Sequence, residues 1–276
     1  METVGITACS NPLKASCREE NQALKEFLEQ TGKKVRVSPC IYERPDQPFY
    51  SGKQRAEALT ELFSDPEVRD IYDISGGDMG NEILDDLDFQ KIRQSSAVFW
   101  GYSDLTTVLN AIYAKTGKWG VLYSARNLVH EDSREEQQRR YLEGDALFGP
   151  SFHMVQGDSM EGTVVGGNIR CFLKLAGTDY FPDLRGKLLL LEARSGQIPQ
   201  MITYLSQLKS MGAFQKVKGI LLGTFSEMEK MNCRPDILTL VKSFAGEKIP
   251  IAKTENIGHG HDSRAIRIGA EKEISG

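Results

Sequence analysis

Short apolar segments alternate with segments of helical periodicity through the first part of the chain, and this alternation restricts the fold more than any other feature. The predicted strands are TVGITAC, KVRVSP, VRDIYDIS and AVFWG. The predicted helices are REENQALKEFLEQTG and GKQRAEALTELFSD. Repeated β-α units favour a mainly parallel sheet with helices on both faces. Such sheets carry their chemistry at the carboxyl ends of the strands, so the turns that follow them are the places to search for functional residues.

A charged run, NLVHEDSREEQQRRYLEGDALFG, interrupts this alternation and predicts a solvated helix or a connector. We place a domain boundary there, with an N-terminal α/β domain over residues 1–140 and a C-terminal domain over residues 141–276. The later segments LLLLE, KGILLG and IPIAK are predicted strands, and QMITYLSQLKSMG is a predicted helix. The second domain is therefore expected to have a sheet of its own.

Composition argues against several classes of protein. The 276 residues carry a formal charge of −4, with lysine and arginine scattered among acidic residues, which does not favour nucleic-acid binding. The five cysteines are widely spaced without a C-x-x-C pair, so they predict neither a disulfide framework nor a zinc knuckle and fit a cytoplasmic setting. The longest aliphatic run, LLLL, is far too short to span a bilayer, and no export signal is visible.

Ser103 lies in the turn GYSD, between the predicted strand AVFWG and an amphipathic helix that Gly117 is expected to end. Serine and aspartate are favoured at helix N-termini, so capping alone would explain Ser103 and Asp104. A strand-turn-helix also presents a serine hydroxyl at the carboxyl edge of a sheet, although Leu105 replaces the second glycine of the G-x-S-x-G elbow pattern. From this turn alone, a nucleophile and a helix cap both remain open.

Two adjacent glycines, Gly76 and Gly77, follow the predicted strand VRDIYDIS. Such a pair allows backbone N–H groups to approach an oxyanion or a phosphate closely, but a simple tight turn explains an isolated Gly-Gly as well. The sequence has neither the G-x-G-x-x-G order nor a Walker lysine, so nucleotide binding is weakly supported.

The later turns contain one carboxylate and two histidines of interest. Glu192 ends the apolar strand LLLLE, where a surface acid would also be ordinary. His259 and His261 lie in the loop ENIGHGHDSRAIRIG, after the predicted strand IPIAK. Both histidines could bind a metal together with Asp262, but no second cluster of ligands accompanies them, and the pattern disfavours a metal site.

Serine, glutamate and histidine in this order can supply a nucleophile, an orienting carboxylate and a base. Their combination resembles the LD-carboxypeptidase family of serine peptidases, which includes muropeptide LD-carboxypeptidases and microcin C self-immunity hydrolases. The resemblance spans nearly the whole chain. It rests on SGGDMGNEILDDLDF, FWGYSDLTTVLNAIYAKTG, VVGGNIRCFLKLAGTDYFPDLRGKLLLLE, MITYLSQLKSMGAFQKVKGILLGTF and IGHGHDSRAIRIG.

The resemblance implies a nucleophile at Ser103, an acid at Glu192 and a base at His259, with oxyanion donors at the backbone N–H groups of Gly77 and Asp104. The glycine before His259 and its interval to IRIG match the family's base, and His261 does not. The implied fold is an α/β N-terminal domain joined to a C-terminal domain with its own sheet, with the active site in the cleft between them. The family also implies a homodimer and a mechanism with neither a metal nor an organic cofactor.

The implied substrate is a cell-wall muropeptide that loses its terminal D-alanine. Arg194 is a candidate for holding the substrate carboxylate, although a surface arginine is the simpler interpretation, and Gly76 is a second candidate for substrate binding. The chain departs from the family at Ala193, where an aspartate is usual after the glutamate, and at YSARNLV, which replaces a Gly-Pro segment. Both departures concern specificity more than the triad.

Two alternatives belong to other classes of function. A microcin C-type immunity hydrolase would cleave a peptidyl- or aminoacyl-nucleotide, and GGDMGNEIL leans slightly toward that branch. Such an enzyme needs an aromatic platform for the base, for which Trp119, Tyr123 and Phe148 are candidates unless they are core residues. A non-catalytic descendant that binds a peptide or a nucleotide is the third possibility, although a binding module has no need of all three triad residue types.

Overall fold

The computed structural model describes residues 2–45 and 48–276. Within these ranges the chain forms twelve β-strands: β1 (Thr3–Thr7), β2 (Lys34–Val37), β3 (Val68–Asp73), β4 (Val98–Gly101), β5 (Gly120–Leu122), β6 (His153–Gln156), β7 (Ser159–Asn168), β8 (Leu188–Ala193), β9 (Gly219–Phe225), β10 (Ile251–Lys253), β11 (Ile266–Ile268) and β12 (Glu271–Ser275).

The same ranges contain ten α-helices: α1 (Arg18–Gln30), α2 (Gly52–Ser64), α3 (Phe89–Gln94), α4 (Thr106–Thr116), α5 (Arg134–Leu142), α6 (Ile169–Leu173), α7 (Ile198–Ser210), α8 (Ala213–Lys216), α9 (Ser226–Lys230) and α10 (Ile237–Ala245). Short 3-10 helices are found at Ala15–Cys17, Gly80–Asp86, Ser103–Leu105 and Ala125–Leu128.

The strands form two six-stranded sheets. The first has the order β11-β5-β4-β3-β1-β2, and the second has the order β12-β7-β8-β9-β10-β6. Neighbouring strands are parallel except at the edges, where β11, β12 and β6 pair antiparallel with β5, β7 and β10. The predicted fold, an N-terminal domain with a mainly parallel sheet and flanking helices joined to a C-terminal domain with a sheet of its own, is confirmed, and the second sheet is also mainly parallel.

The C-terminal part of the chain also contributes to the first sheet. Strand β11 pairs with β5 through Ile266 opposite Leu122 and Ile268 opposite Gly120. The chain therefore returns to the first sheet after it has built most of the second. The boundary at residues 140 and 141 stays a prediction.

Helix α4 of the first domain packs directly against strand β7 of the second. The Asn110 side chain donates to the carbonyl oxygen of Gly166 and accepts from its N–H, both at 2.9 Å, and Thr106 Oγ1 accepts from the N–H of Asn168 at 3.0 Å. Gly167, at φ +132°, allows this approach, since a Cβ there would lie 2.8 Å from Thr106 Oγ1. The glycines of VVGGN thus allow β7 to approach α4 closely, and the hydrogen bonds between the two hold the position of the helix that follows Ser103.

Continuous burial explains why the parallel strands could be recognised from sequence. Every residue of β8 is buried, as a parallel strand covered on both faces requires. Each fully buried leucine there contributes roughly 1.5–3 kcal/mol to folding. Gly117 ends α4 at φ +75°, which confirms the predicted stop. None of the described helices is long and apolar enough to cross a membrane.

Candidate active site

Ser103 lies just beyond the carboxyl end of β4 and begins the 3-10 turn that leads into α4. Its φ is +55°, and among the described non-glycine residues only Asn232 shares such a value. A left-handed serine at a strand-to-helix turn is typical of a nucleophile elbow and costs roughly 1–3 kcal/mol of strain. Gly101 makes the turn possible, because a Cβ there would lie 2.6 Å from Leu105 Cβ.

The interpretation of Ser103 as a helix cap is wrong. Neither the 3-10 turn nor α4 receives a side-chain hydrogen bond at its N-cap, and within the described residues the Ser103 hydroxyl has no hydrogen-bond partner. The Asp104 carboxylate, fully buried, is instead engaged below the turn: it accepts from Ser10 Oγ at 2.7 Å and from the Gly80 N–H at 2.6 Å. The Ser103 hydroxyl therefore does not cap the helix.

Glu192 and His259 form a hydrogen-bonded pair. His259 Nδ1 lies 2.8 Å from Glu192 Oε2, and the glutamate side chain is completely buried. With Nδ1 donating to the carboxylate, Nε2 is the nitrogen left to accept a proton, and it is buried without a hydrogen-bond partner in the described part of the chain. The pair has the arrangement of the orienting acid and the base of a catalytic triad.

Close backbone contacts hold the His259 loop against β9. A Cβ on Gly258 would lie 1.7 Å from Thr224 Oγ1, and a Cβ on Gly223 would lie 2.4 Å from the carbonyl oxygen of Ile257. The Thr224 N–H donates to that same carbonyl at 2.8 Å. Gly258, the residue before His259, is thus required for its position.

Tyr102 connects the serine turn to the acid–base pair. Its hydroxyl lies 3.2 Å from Glu192 Oε2 and 3.4 Å from His259 Nδ1, and its ring meets the imidazole edge-on with centroids 4.7 Å apart. Burial, and after it the Glu192 charge, hold the pKa of the Tyr102 hydroxyl well above its usual range, so the hydroxyl stays protonated and donates to Glu192. Sequence reasoning missed this residue, and its only signal was its place before Ser103.

The glycine turn after β3 presents a free backbone donor. Gly77 has φ +126°, and within the described residues its N–H has no hydrogen-bond partner. Asn11 holds the turn: its N–H donates to the Gly76 carbonyl at 3.2 Å, and its Oδ1 accepts from the Asp78 N–H at 2.9 Å. A Cβ on Gly77 would lie 2.3 Å from Asn11 Oδ1, so only glycine fits there.

Two basic side chains from the second domain support this turn. Arg170 donates to the Gly77 carbonyl at 3.1 Å and forms an ion pair with Asp78. Lys174 donates to the Asp78 carbonyl at 2.8 Å and forms an ion pair with the buried Asp104. These contacts connect the Gly77 turn to the Ser103 turn, and sequence reasoning missed both basic residues because their partners are distant in the chain.

Cys171 lies close to the site, and its thiol is unreactive at neutral pH. Burial, and then the nearby Asp104 carboxylate, raise the pKa of the Cys171 thiol to about 12. At neutral pH this residue is a thiol, and the thiolate is the nucleophilic form. Cys171 is therefore not a candidate nucleophile at neutral pH.

Two further residues, Gly76 and Arg194, are predicted to contact substrate. Gly76 has open space around it, since a Cβ there would meet no atom within 4 Å. Arg194 is exposed immediately beyond β8, one residue after Ala193. Both positions remain predictions as substrate contacts.

The three aromatic candidates do not form a platform beside Ser103. Tyr123 is a buried core residue whose hydroxyl donates to Gln137 at 3.0 Å. Trp119 precedes β5, whereas Ser103 follows the neighbouring parallel strand β4, so Trp119 lies at the amino end of these strands and Ser103 at the carboxyl end. Phe148 and Trp119 instead flank the guanidinium of Arg267, with ring centroids 4.4 and 5.3 Å from its carbon.

The two histidines of the 259–261 loop have different partners. His259 contacts Glu192, whereas His261 stacks on His130. Within the described residues, the one group with metal-ligand spacing is His130, Asp132 and His261, and the alternative set of His259, His261 and Asp262 does not form.

Comparison with known proteins identifies the family. Residues 4–123 match the family model of the LD-carboxypeptidase N-terminal domain, and residues 161–274 match that of the LD-carboxypeptidase C-terminal domain. The chain belongs to the LD-carboxypeptidase family of peptidases, which confirms the resemblance seen in the sequence.

Named relatives fall into both branches of this family. A probable murein peptide carboxypeptidase of Bacillus subtilis is 29% identical, with 99% of this chain and 89% of the relative covered. The microcin C7 self-immunity protein MccF of Escherichia coli is 26% identical, with 99% and 90% covered. The solved structure of MccF with glutamyl sulfamoyl guanosine has a TM-score of 0.87 at 21% identity and covers 99% of this chain and 93% of its own.

Proposed function

We propose that the chain is a serine carboxypeptidase with Ser103 as nucleophile, His259 as base and Glu192 as orienting acid. The observation that carries this proposal is the contact of Tyr102 with Glu192 and His259, since it brings the strained Ser103 turn next to an acid–base pair. The active site would lie in the cleft between the two domains. A non-catalytic binding protein would have no use for this combination of strain and buried charge.

In the proposed reaction, the Ser103 hydroxyl attacks the scissile carbonyl carbon while His259 Nε2 takes its proton. Glu192 stabilises the imidazolium that forms. The N–H groups of Gly77 and Asp104 donate to the oxyanion of the tetrahedral intermediate. His259 returns the proton to the leaving amine, which departs as the acyl-enzyme on Ser103 forms. Water, activated by His259, then hydrolyses this ester and regenerates the serine.

The proposed substrate is a cell-wall LD-muropeptide, from which the enzyme releases the terminal D-alanine. The Bacillus subtilis relative, named a murein peptide carboxypeptidase, supports this choice. The burial of Tyr123 and the packing of Trp119 and Phe148 on Arg267 favour it over a nucleotide conjugate, which would gain roughly 1–3 kcal/mol from a stacked base. Arg194 is the proposed contact for the terminal carboxylate, and Gly76 is a further proposed substrate contact. A homodimer and a cytoplasmic location belong to the same proposal.

The second candidate function is hydrolysis of a peptidyl- or aminoacyl-nucleotide. Similarity to MccF over nearly the full length of both chains supports it. It uses the same three catalytic residues and differs only in the leaving group.

A three-substrate comparison separates the two candidates. We would measure kcat/KM by mass spectrometry for a muropeptide tetrapeptide ending in D-alanine, for its C-terminal amide, and for an aminoacyl-sulfamoyl-adenosine. The expected result is efficient release of D-alanine from the first and a sharply raised KM for the amide, because the carboxylate-binding groups lose their charged partner. Cleavage of the nucleotide conjugate without release of D-alanine would establish the second candidate. No turnover of any substrate, in a folded protein, would contradict both.

A further inference from the structure

Three side chains outside the catalytic pair converge on the surface. His130 Nδ1 and His261 Nε2 lie 3.8 and 3.7 Å from Asp132 Oδ2, and the three ligand atoms are all within 4.8 Å of one another. We refer to His130, Asp132 and His261 as the surface histidine cluster. None of these three side chains takes part in the proposed reaction.

The two histidine–carboxylate separations are slightly longer than those of ligands around a shared ion. They are too long for direct hydrogen bonds, which end near 3.2 Å for nitrogen and oxygen. Two ligands bound tetrahedrally at about 2.0–2.1 Å would lie about 3.3–3.4 Å apart, so each histidine nitrogen would have to approach Asp132 Oδ2 by a few tenths of an ångström. The imidazole rings stack at 3.7 Å with an interplanar angle of 10°, and they must rotate to direct both lone pairs at one ion. Their side chains are 33% and 51% exposed, which leaves room for that rotation.

The backbone beneath the cluster is fixed by helix α5. The His261 carbonyl accepts from Ser133 Oγ at 3.0 Å and from Nε2 of the fully buried Gln137 at 2.7 Å. The His130 carbonyl accepts from the N–H groups of Ser133 and Arg134 at 3.1 and 2.8 Å. Both histidines are therefore held at one place by the start of the same helix.

We propose that the surface histidine cluster binds a divalent cation of the zinc class, with water completing the coordination. Two imidazoles and one carboxylate favour zinc, nickel, cobalt or copper over magnesium and calcium, which prefer oxygen ligands. The ion would tie the loop that carries His259 to the segment before α5, because His261 is two residues from His259. Its role is to restrain that loop, and the ion takes no part in the hydrolytic steps.

Metal titration of the full chain tests the proposal directly. After treatment with EDTA and its removal, the protein would be titrated with Zn²⁺ by calorimetry and with Co²⁺ by visible absorption. We expect one ion per chain, a tetrahedral cobalt spectrum and a higher Tm with Zn²⁺, because the ion binds only the folded state. His130→Ala and His261→Ala should each weaken binding by at least ~10-fold.

The matched control is His153→Ala, which removes an exposed histidine from strand β6 and should leave Zn²⁺ affinity unchanged. All three variants alter exposed or half-buried side chains, and circular dichroism would verify their folding. Absence of binding, or equal binding by the wild type and both cluster variants, would overturn the site. Hydrogen exchange across residues 256–264 should slow with Zn²⁺. Unchanged exchange with the ion bound would overturn its restraining role.

Discussion

The two domains hold their contributions to the candidate site in different ways. In the first domain, the positive φ values of Ser103 and Gly77 are accompanied by a buried hydrogen bond from Ser10 to Asp104 and an exposed one from the Asp78 N–H to Asn11. In the second, Glu192 and His259 are fixed by burial and by glycines that let the backbone approach closely. Both domains should therefore be sensitive to atoms added at these glycines, and the second also to loss of either partner of its buried acid–base pair. Variants on either side can break or sharpen this contrast.

The largest losses are expected when the proposed nucleophile or the proposed base is removed. Ser103→Ala and His259→Ala should each lower kcat by a factor on the order of 10⁴ or more, because triad residues act as one unit, and Glu192→Ala should cost somewhat less. His261→Ala should lower kcat far less, in an assay that contains EDTA to exclude any effect of a bound metal. An inactive His261→Ala beside an active His259→Ala would show that the base is misassigned. Steady-state kinetics on the cleaved substrate provides the measurement.

Adding one methyl group at the glycine turn should have the next largest effect. Gly77→Ala should lower kcat by roughly 10²- to 10³-fold, because the collision with Asn11 displaces an oxyanion donor. Gly32→Ala is the matched control: it has φ +80° but meets no atom within 4 Å, so it carries the backbone strain without the collision. Equal kcat for the two variants would remove Gly77 from the proposed oxyanion hole.

Loss of the hydroxyl that connects the two domains should have a moderate effect. Tyr102→Phe removes a hydrogen bond to the Glu192 carboxylate and should lower kcat about tenfold, with little change in KM, because the tyrosine positions the acid–base pair without touching substrate. The change corresponds to about 1.4 kcal/mol. A rise in KM at unchanged kcat would instead indicate direct contact with substrate.

Modification of cysteine should have the smallest effect. Below pH 9, iodoacetamide should leave activity unchanged, because the pKa of Cys171, raised to about 12, keeps it a protonated thiol. The partly exposed Cys17 and Cys233 are the cysteines expected to react. Peptide mapping would identify the modified residues, and rapid modification of Cys171 below pH 9 would contradict its raised pKa.

The sequence predicted the elements whose local pattern matches their final environment. LLLLE is an apolar run because β8 is buried on both faces, and the elbow at Ser103 is encoded within a few residues. Strand β7 was not predicted, because its glycines disfavour a strand locally and fit only through contacts with α4 and β8. Tyr102 and Lys174 were missed for the same reason, since their partners lie in the other domain. The capping interpretation of Ser103 failed because hydroxyl and carboxylate preferences at helix starts do not reveal backbone strain.

The pairing of β11 with β5 has a consequence for synthesis of the protein on the ribosome. Translation completes β1 to β5 early, but the β5 edge stays uncovered until residues 266–268 emerge, after most of the second sheet has been made. An unpaired strand edge is a template for aggregation, so the nascent chain carries this hazard for most of its elongation. His259 emerges only shortly before β11. Closure of the first sheet and arrival of the proposed base are therefore nearly simultaneous, and a partly synthesised chain would have a serine turn without its proton acceptor.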